Sequence, residues 1–223
     1  MSRMNERRSE MAANRQKQDE GTLRPMRADA QRKMSALVRA ALEVFTESGV
    51  DAPVREIAER AGVGLGTVYR HFPQRSDLIV AVYRSQVDDC ADAATELANK
   101  HEPFEAFARW MGHFADFIST KRGLARGLNS SDPAYSALPG YFFSRLGPAL
   151  QMLLDAAVES RAIRHGYEAG ELLQAVAALG RGGHDEEPAQ LRKMIGLLVD
   201  GLRYGQPTPE VKSPRQRRSR PAP

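Results

Sequence analysis

The sequence predicts an all-α protein, with a three-helix head near the N-terminus and a longer helical body behind it. Two observations carry this reading. Apolar residues recur at i, i+3, i+4 and i+7 in one segment after another, which is the spacing of helices that bury one face. Gly49 and Gly62 stand where two of those runs stop, and a glycine just past the last periodic residue can take positive φ and close a helix. With 223 residues and 42% apolar content, the chain can bury a sizeable core in one or two compact units.

Residues 1–27 carry seven basic and four acidic side chains and no sustained apolar stripe, so they are expected to form a disordered basic arm. The head is expected over residues 28–75. Its first helix should span residues 28–48, with Leu37, Ala40, Ala41, Val44 and Phe45 on the core face and Gly49 as its stop. The second should run from Pro53 to Ala61, burying Val54, Ile57, Ala58 and Ala61; proline suits a first helical turn, where its missing N–H would lack a partner anyway. Ala58 is small enough to let two helices cross closely. After Gly62 the stripe Leu65, Val68, Phe72 starts a third helix. Two short helices joined by a tight turn have the sequence form of a helix-turn-helix, whose second helix lies in the major groove of DNA. Val68 and Phe72 should face inward, leaving Leu65, Gly66, Thr67, Tyr69, Arg70 and His71 on or near the exposed side. The run Gly62-Val63-Gly64-Leu65-Gly66 has neither the spacing nor the preceding strand of a dinucleotide-binding fingerprint.

A helical body is expected over residues 76–205. Ser76 is the expected N-cap of its first helix, with Asp77 complementing the helix dipole and Leu78, Ile79, Val82 and Tyr83 continuing the stripe. Pro103 opens the next, where Phe104, Phe107, Trp110, Met111, Phe114, Phe117 and Ile118 form a broad aromatic stripe. Such a stripe is either core or the lining of a small-molecule pocket. On the pocket reading its members are Phe107, Trp110, Met111, His113, Phe114 and Phe117, with Tyr141 and Phe142 from further along the chain; His113 and Arg109 are otherwise surface groups. Glycines and prolines between residues 119 and 140 suggest a short helix between loops. A long helix should follow, interrupted near Gly147-Pro148 by a kink or a restart. Two further helices carry Leu172, Leu173, Val176, Ala177 and Leu179, then Leu191, Met194, Ile195, Leu198, Val199 and Leu202, separated by a turn from Arg181 to Pro188. Residues 206–223, with five basic and one acidic side chain, are expected to be a disordered basic tail.

The net charge of +4 is concentrated at the two ends; residues 76–205 carry thirteen basic and seventeen acidic side chains. Bulk basicity is therefore no argument for DNA, although the tails could add phosphate attraction. Cys90, the single cysteine, is read as a packed helix residue or a redox sensor, and it cannot form a disulfide within one chain. No apolar run is long enough to cross a bilayer and the N-terminus is too polar for a signal peptide, so a cytoplasmic protein is expected. The five histidines show no metal-ligand spacing, and neither a Ser-His-Asp arrangement nor a carboxylate pair is legible. No catalytic residue, metal or cofactor is expected, and the chain does not read as an enzyme.

From about Arg27 to Tyr83 the chain resembles the DNA-binding head of the TetR family of transcription regulators. The residues that carry the resemblance are Phe45, Gly49, Glu56-Ile57-Ala58, Ala61-Gly62-Val63, Gly66-Thr67-Val68-Tyr69-Arg70-His71-Phe72, Arg75 and Leu78. The chain departs from the family at Pro53, where a Thr or Ser hydroxyl is usual, and at Gly64, which stands in for an N-cap Ser. The run from Ala149 to Arg164 followed by Gly166 resembles the effector domain of the SbtR-like branch. The resemblance implies phosphate contacts from Tyr69 and His71, and a place facing DNA for Arg55, which could take guanine or phosphate. Thr67 could meet phosphate or a thymine methyl, Leu65 and Arg70 are the expected base readers, Gly66 allows close backbone approach, and Arg75 would hold phosphate. Arg24 and Arg27 could reach the minor groove. By the same resemblance Leu172, Val176, Leu179, Leu191, Met194, Ile195, Leu198 and Leu202 pair with a second copy. The implied function is a ligand-responsive repressor that binds a pseudopalindromic operator as a homodimer and is released by a small-molecule effector. A DNA-binding dimer blind to any ligand is the alternative if the aromatic stripe is all core.

Overall fold

A computed structural model describes Asp29 and residues 31–128, 132–180 and 188–204 of the chain. The expected arm at 1–27, the turn from Arg181 and the tail at 206–223 lie outside the described residues. All the described secondary structure is helical. The elements are α1 (residues 31–48), α2 (Val54–Arg60), α3 (Leu65–His71), α4 (Arg75–Lys100), α5 (Pro103–Leu128), a 3-10 turn (Pro133–Tyr135), α6 (Leu138–Glu159), α7 (Ala169–Leu179) and α8 (Pro188–Tyr204).

The chain divides into two compact units, one of residues 1–89 with 120–143 and the other of residues 90–119 with 144–223. The divisions fall inside helices, so α4, α5 and α6 each contribute to both units. In the first unit the core is built from the expected faces: Leu37, Ala41, Val44 and Phe45 of α1, Ile57 and Ala58 of α2, Val68 of α3, and Leu78, Ile79 and Val82 of α4 are all buried. Tyr83 joins them, and burial pushes its phenol up to about 12.

The turn between α2 and α3 is a glycine-closed helix end. Gly62 takes φ of +66, its N–H donates to Glu59 O at 3.1 Å, and the N–H of Val63 donates to Ala58 O at 3.0 Å. This pair of bonds satisfies two of the carbonyls that a helix end leaves without partners. At the close of α6 the same pattern recurs with a side chain in the left-handed position. Arg161 takes φ of +57, donating to Val158 O at 2.9 Å while Ala162 donates to Ala157 O at 3.0 Å.

Three expectations are corrected. Ser76 is not an N-cap: α4 begins one residue earlier, and the Asp77 carboxylate accepts from the N–H of Gln74 at 2.9 Å. Ser76 is itself buried in the second position of the helix. The loop expected from residue 119 does not begin there: α5 runs through Gly123 and Gly127 to Leu128, isolated glycines weakening a helix without ending it, and the short helix within 119–140 is the 3-10 turn Pro133–Tyr135. Nor is there a restart at Gly147-Pro148. There α6 is one helix from Leu138 to Glu159. Pro148 removes one helical hydrogen bond, but Leu146 before it and Leu150, Leu153 and Leu154 after it are all buried, so both halves are held on a single apolar stripe.

In the second unit the core centres on α5, where Phe107, Trp110, Met111 and Phe114 are fully buried. The rings of Trp110 and Phe114 stack at 5.5 Å, and those of Phe114 and Phe117 at 6.1 Å. The indole N–H of Trp110 donates to Cys90 O at 2.8 Å, which removes the cost of burying that donor. After α6 the chain returns to α8, where the Arg164 N–H donates to Leu202 O at 3.1 Å and its Nη2 to Gly201 O at 2.6 Å. Both acceptors lie in the last turn of α8, where a cation also complements the helix dipole.

Candidate nucleic-acid interface

The two faces of α3 differ sharply. Val68 is 1% exposed and anchors the helix, whereas Leu65 is 40% and Tyr69 is 51% exposed. Gly66, Arg70 and His71 are exposed as well, and Thr67 is half-buried. Phe72, expected to face inward, is half-buried at the C-cap, its N–H donating to Val68 O at 2.8 Å. Seven residues make too short a helix to stand alone in water. Packing of Val68 and the glycine-closed turn from α2 therefore hold it, and its other face is turned outward.

On α2 the Arg55 side chain is exposed and meets Glu59 at 3.6 Å. An exposed pair of that kind contributes little, so the guanidinium can change partner readily. Arg60 behaves differently. Its guanidinium reaches Glu47 of α1 at 2.7 Å and Glu56 at 3.5 Å, and the hydrogen bond to Glu47 raises its already high pKa. It ties α2 to α1. Nothing in the local sequence singles out Arg60, because its main partner lies thirteen residues away.

Neither Pro53 nor Gly64, the N-caps of α2 and α3, supplies a side-chain capping bond; both are extended, with ψ of 132 and 145. Arg75 is half-buried at the first position of α4. Its Nη1 donates to the backbone carbonyls of Val50 and Ala52, the latter at 2.8 Å, in the connection between α1 and α2.

The residues named for an effector pocket are divided between the two units. Phe107, Trp110, Met111, Phe114 and Phe117 are buried in the second unit, while His113, on the same helix, is exposed. Tyr141 and Phe142 belong to the first unit, where the Tyr141 hydroxyl donates to the Asp88 carboxylate at 2.7 Å and the Arg84 guanidinium lies 5.0 Å from the Tyr141 ring centre. A different face of α5 borders an open groove of about 320 Å³, floored by Ala108, Gly112 and Ala115 with Ile195 and Val199 of α8. Alanine and glycine at helical spacing carry no sequence signal for such a groove. Beside the groove Arg192 of α8 pairs with Asp116 of α5 at 2.5 Å.

Of the eight residues named for subunit pairing, Leu172, Val176, Leu191, Ile195 and Leu202 are buried within their own chain, and Met194 and Leu198 are half-buried. These faces of α7 and α8 are covered by their own chain. Leu179 remains 40% exposed, and Leu197, which periodicity placed off the stripe, is 66% exposed.

These observations define the class: an all-α protein whose head carries a helix-turn-helix with an outward-facing second helix, attached to a helical body. Comparison with known proteins makes the class specific. Residues 37–82 match the model for bacterial regulatory proteins of the tetR family, and residues 102–204 match that for the C-terminal domain of SbtR-like transcriptional regulators. A TetR transcriptional regulator of known structure from Streptomyces coelicolor is 34% identical, with a TM-score of 0.65, over 76% of this chain and 97% of that one. The TetR transcription regulatory protein of Mycobacterium vanbaalenii is 30% identical, with a TM-score of 0.61, over 81% of this chain and all of that one. An HTH-type transcriptional regulator of Staphylococcus aureus is 38% identical over 64 residues, a match that spans 35% of that protein's length. The chain belongs to the TetR family of transcriptional regulators.

Among the described residues no helix is long and apolar enough to cross a membrane.

Proposed function

We propose that the protein is a sequence-specific DNA-binding regulator that grips a pseudopalindromic operator as a homodimer. The observation that supports this best is the outward face of α3, where Leu65 and Tyr69 are exposed beside Arg70 and His71 while Val68 is buried on the opposite side. Leu65 and Arg70 read bases, Tyr69 and His71 hold phosphates, Gly66 lets the backbone come close, and Thr67 and Arg55 sit at the margins of the contact. Pairing two heads through a shared symmetry axis gives two half-sites one or more helical turns apart.

Selection of bound duplexes from a random pool tests this directly: the expected product is a two-fold related pair of half-sites. Against that duplex, Tyr69→Phe should weaken binding to all sequences alike while leaving the slope of log affinity against log salt nearly unchanged, because the donor lost is uncharged. Arg70→Ala should instead relax preference at one base pair, by roughly 1–3 kcal/mol for a bidentate contact. Failure of the intact protein to enrich any sequence would remove the proposal.

Repression with release by a small molecule is the finer reading, and the family resemblance supports it. Complete burial of Phe107, Trp110, Met111 and Phe114 favours a second one, a regulator whose body packs and dimerises without a ligand. A bound ligand raises apparent stability by mass action. Thermal shifts across a metabolite panel would support the effector reading, while a silent panel would favour the second.

A further inference from the structure

We propose that Arg75 is a positioning residue for DNA reading rather than a phosphate ligand: its guanidinium fixes the start of α2 against the start of α4 and so sets the angle at which α2 and α3 meet DNA. The inference rests on the DNA-binding reading above. Arg75 occupies the first position of a 26-residue helix. A cation there faces the positive end of the helix dipole, which is unfavourable unless it finds acceptors. It finds two. The two hydrogens of Nη1 go to the carbonyls of Val50 and Ala52, both residues buried and both in the connection that delivers the chain to the N-cap of α2 at Pro53.

The location explains why such a tie is needed. The connection closes α1 at Gly49, with φ of +80, and within it the N–H of Ala52 donates back to Gly49 O at 3.2 Å. Pro53 has no N–H to contribute, and its ring offers no hydroxyl to cap α2. Charge-assisted bonds to carbonyls are stronger than neutral ones, so the arginine is well suited to hold the Val50 and Ala52 carbonyls where the chain cannot do so itself. On the other side Arg75 follows α3 by only three residues, Phe72 to Gln74. One side chain thus spans both ends of the helix-turn-helix.

Three readouts decide the matter on the full-length protein, using a duplex selected by the intact protein and a scrambled duplex, at a temperature where each variant remains folded. Arg75→Gln removes the charge and the reach. Arg75→Lys keeps the charge but not the planar pair of hydrogens on one nitrogen, and it serves if the glutamine variant fails to fold. With a positioning role, both variants lower the melting temperature of the DNA-free protein. Both also reduce the ratio of selected to scrambled affinity by about tenfold, the scale of a displaced base contact, and the lysine variant retains the salt slope of the intact protein. A phosphate ligand would give a different pattern: the glutamine variant would lose affinity equally for both duplexes with a slope lower by about one unit, the lysine variant would bind normally, and the proposal would be overturned. A drop in melting temperature with an unchanged affinity ratio would overturn it too, leaving only a structural tie. If the intact protein selects no duplex, the functional reading fails and this proposal falls with it, a result distinct from either pattern.

Discussion

At Gly180 the chain has no room for a side chain, since a Cβ built there would lie 2.4 Å from Cγ2 of Ile118. The backbone is not the obstacle, because φ is −69 at this C-cap of α7 and any residue could adopt it. Gly180→Ala should therefore cost roughly 1–3 kcal/mol by overpacking, read as a lower midpoint in chemical or thermal denaturation. An unchanged midpoint would mean that α7 and α5 yield easily. Trp110 shows how far a single residue can be read from sequence. Its place on a buried stripe followed from spacing with Phe107, Phe114 and Phe117. Its hydrogen-bond acceptor did not, because Cys90 O lies twenty residues back and a backbone carbonyl has no signature in the sequence.

Among the elements, α6 departs most from what its residues suggested. Gly147 and Pro148 are helix-breaking in isolation, yet burial of the leucines on both sides keeps one helix. Its first turns are also fastened laterally, by the Tyr141 hydroxyl on Asp88 of α4 and by Arg84 over the same ring. Hydrogen bonds to charged groups are worth about 1.5–3 kcal/mol. Tyr141→Phe should therefore destabilise by an amount near the lower end of that range, with faster amide exchange concentrated in the start of α6. Exchange spread evenly over the chain would contradict a local fastening. The head was much more legible than α6: α2, α3 and the glycine turn between them lie within about one residue of their expected bounds. Local rules set those bounds, through periodicity and the positive φ at Gly62.

For the whole molecule the proposed function turns on pairing. A regulator that reads two half-sites needs a second copy, and of the residues expected to pair with it Leu179, Met194 and Leu198 keep surface to offer. Beside them Leu197 of α8, 66% exposed, is the most exposed large apolar side chain among the described residues, and the pairing proposed above would cover it. Burying a leucine contributes about 1.5–3 kcal/mol. Leu197→Arg should accordingly raise the dimer dissociation constant at least about tenfold in sedimentation equilibrium, while each chain keeps its helical content. A dimer of undiminished strength would place the interface elsewhere.

The residues themselves determined that the chain is all-helical, where the head's three helices lie, and which side chains α3 turns outward, because each of these depends on spacing and turn chemistry within a few neighbours. Only the tertiary structure decided which apolar faces of α7 and α8 were already covered, that Pro148 would be tolerated, and that the Arg75 guanidinium would be engaged by carbonyls twenty-three and twenty-five residues before it. Those outcomes turn on which groups the fold brings together, and a helix with one apolar stripe looks the same in sequence whether its own chain or another covers that stripe.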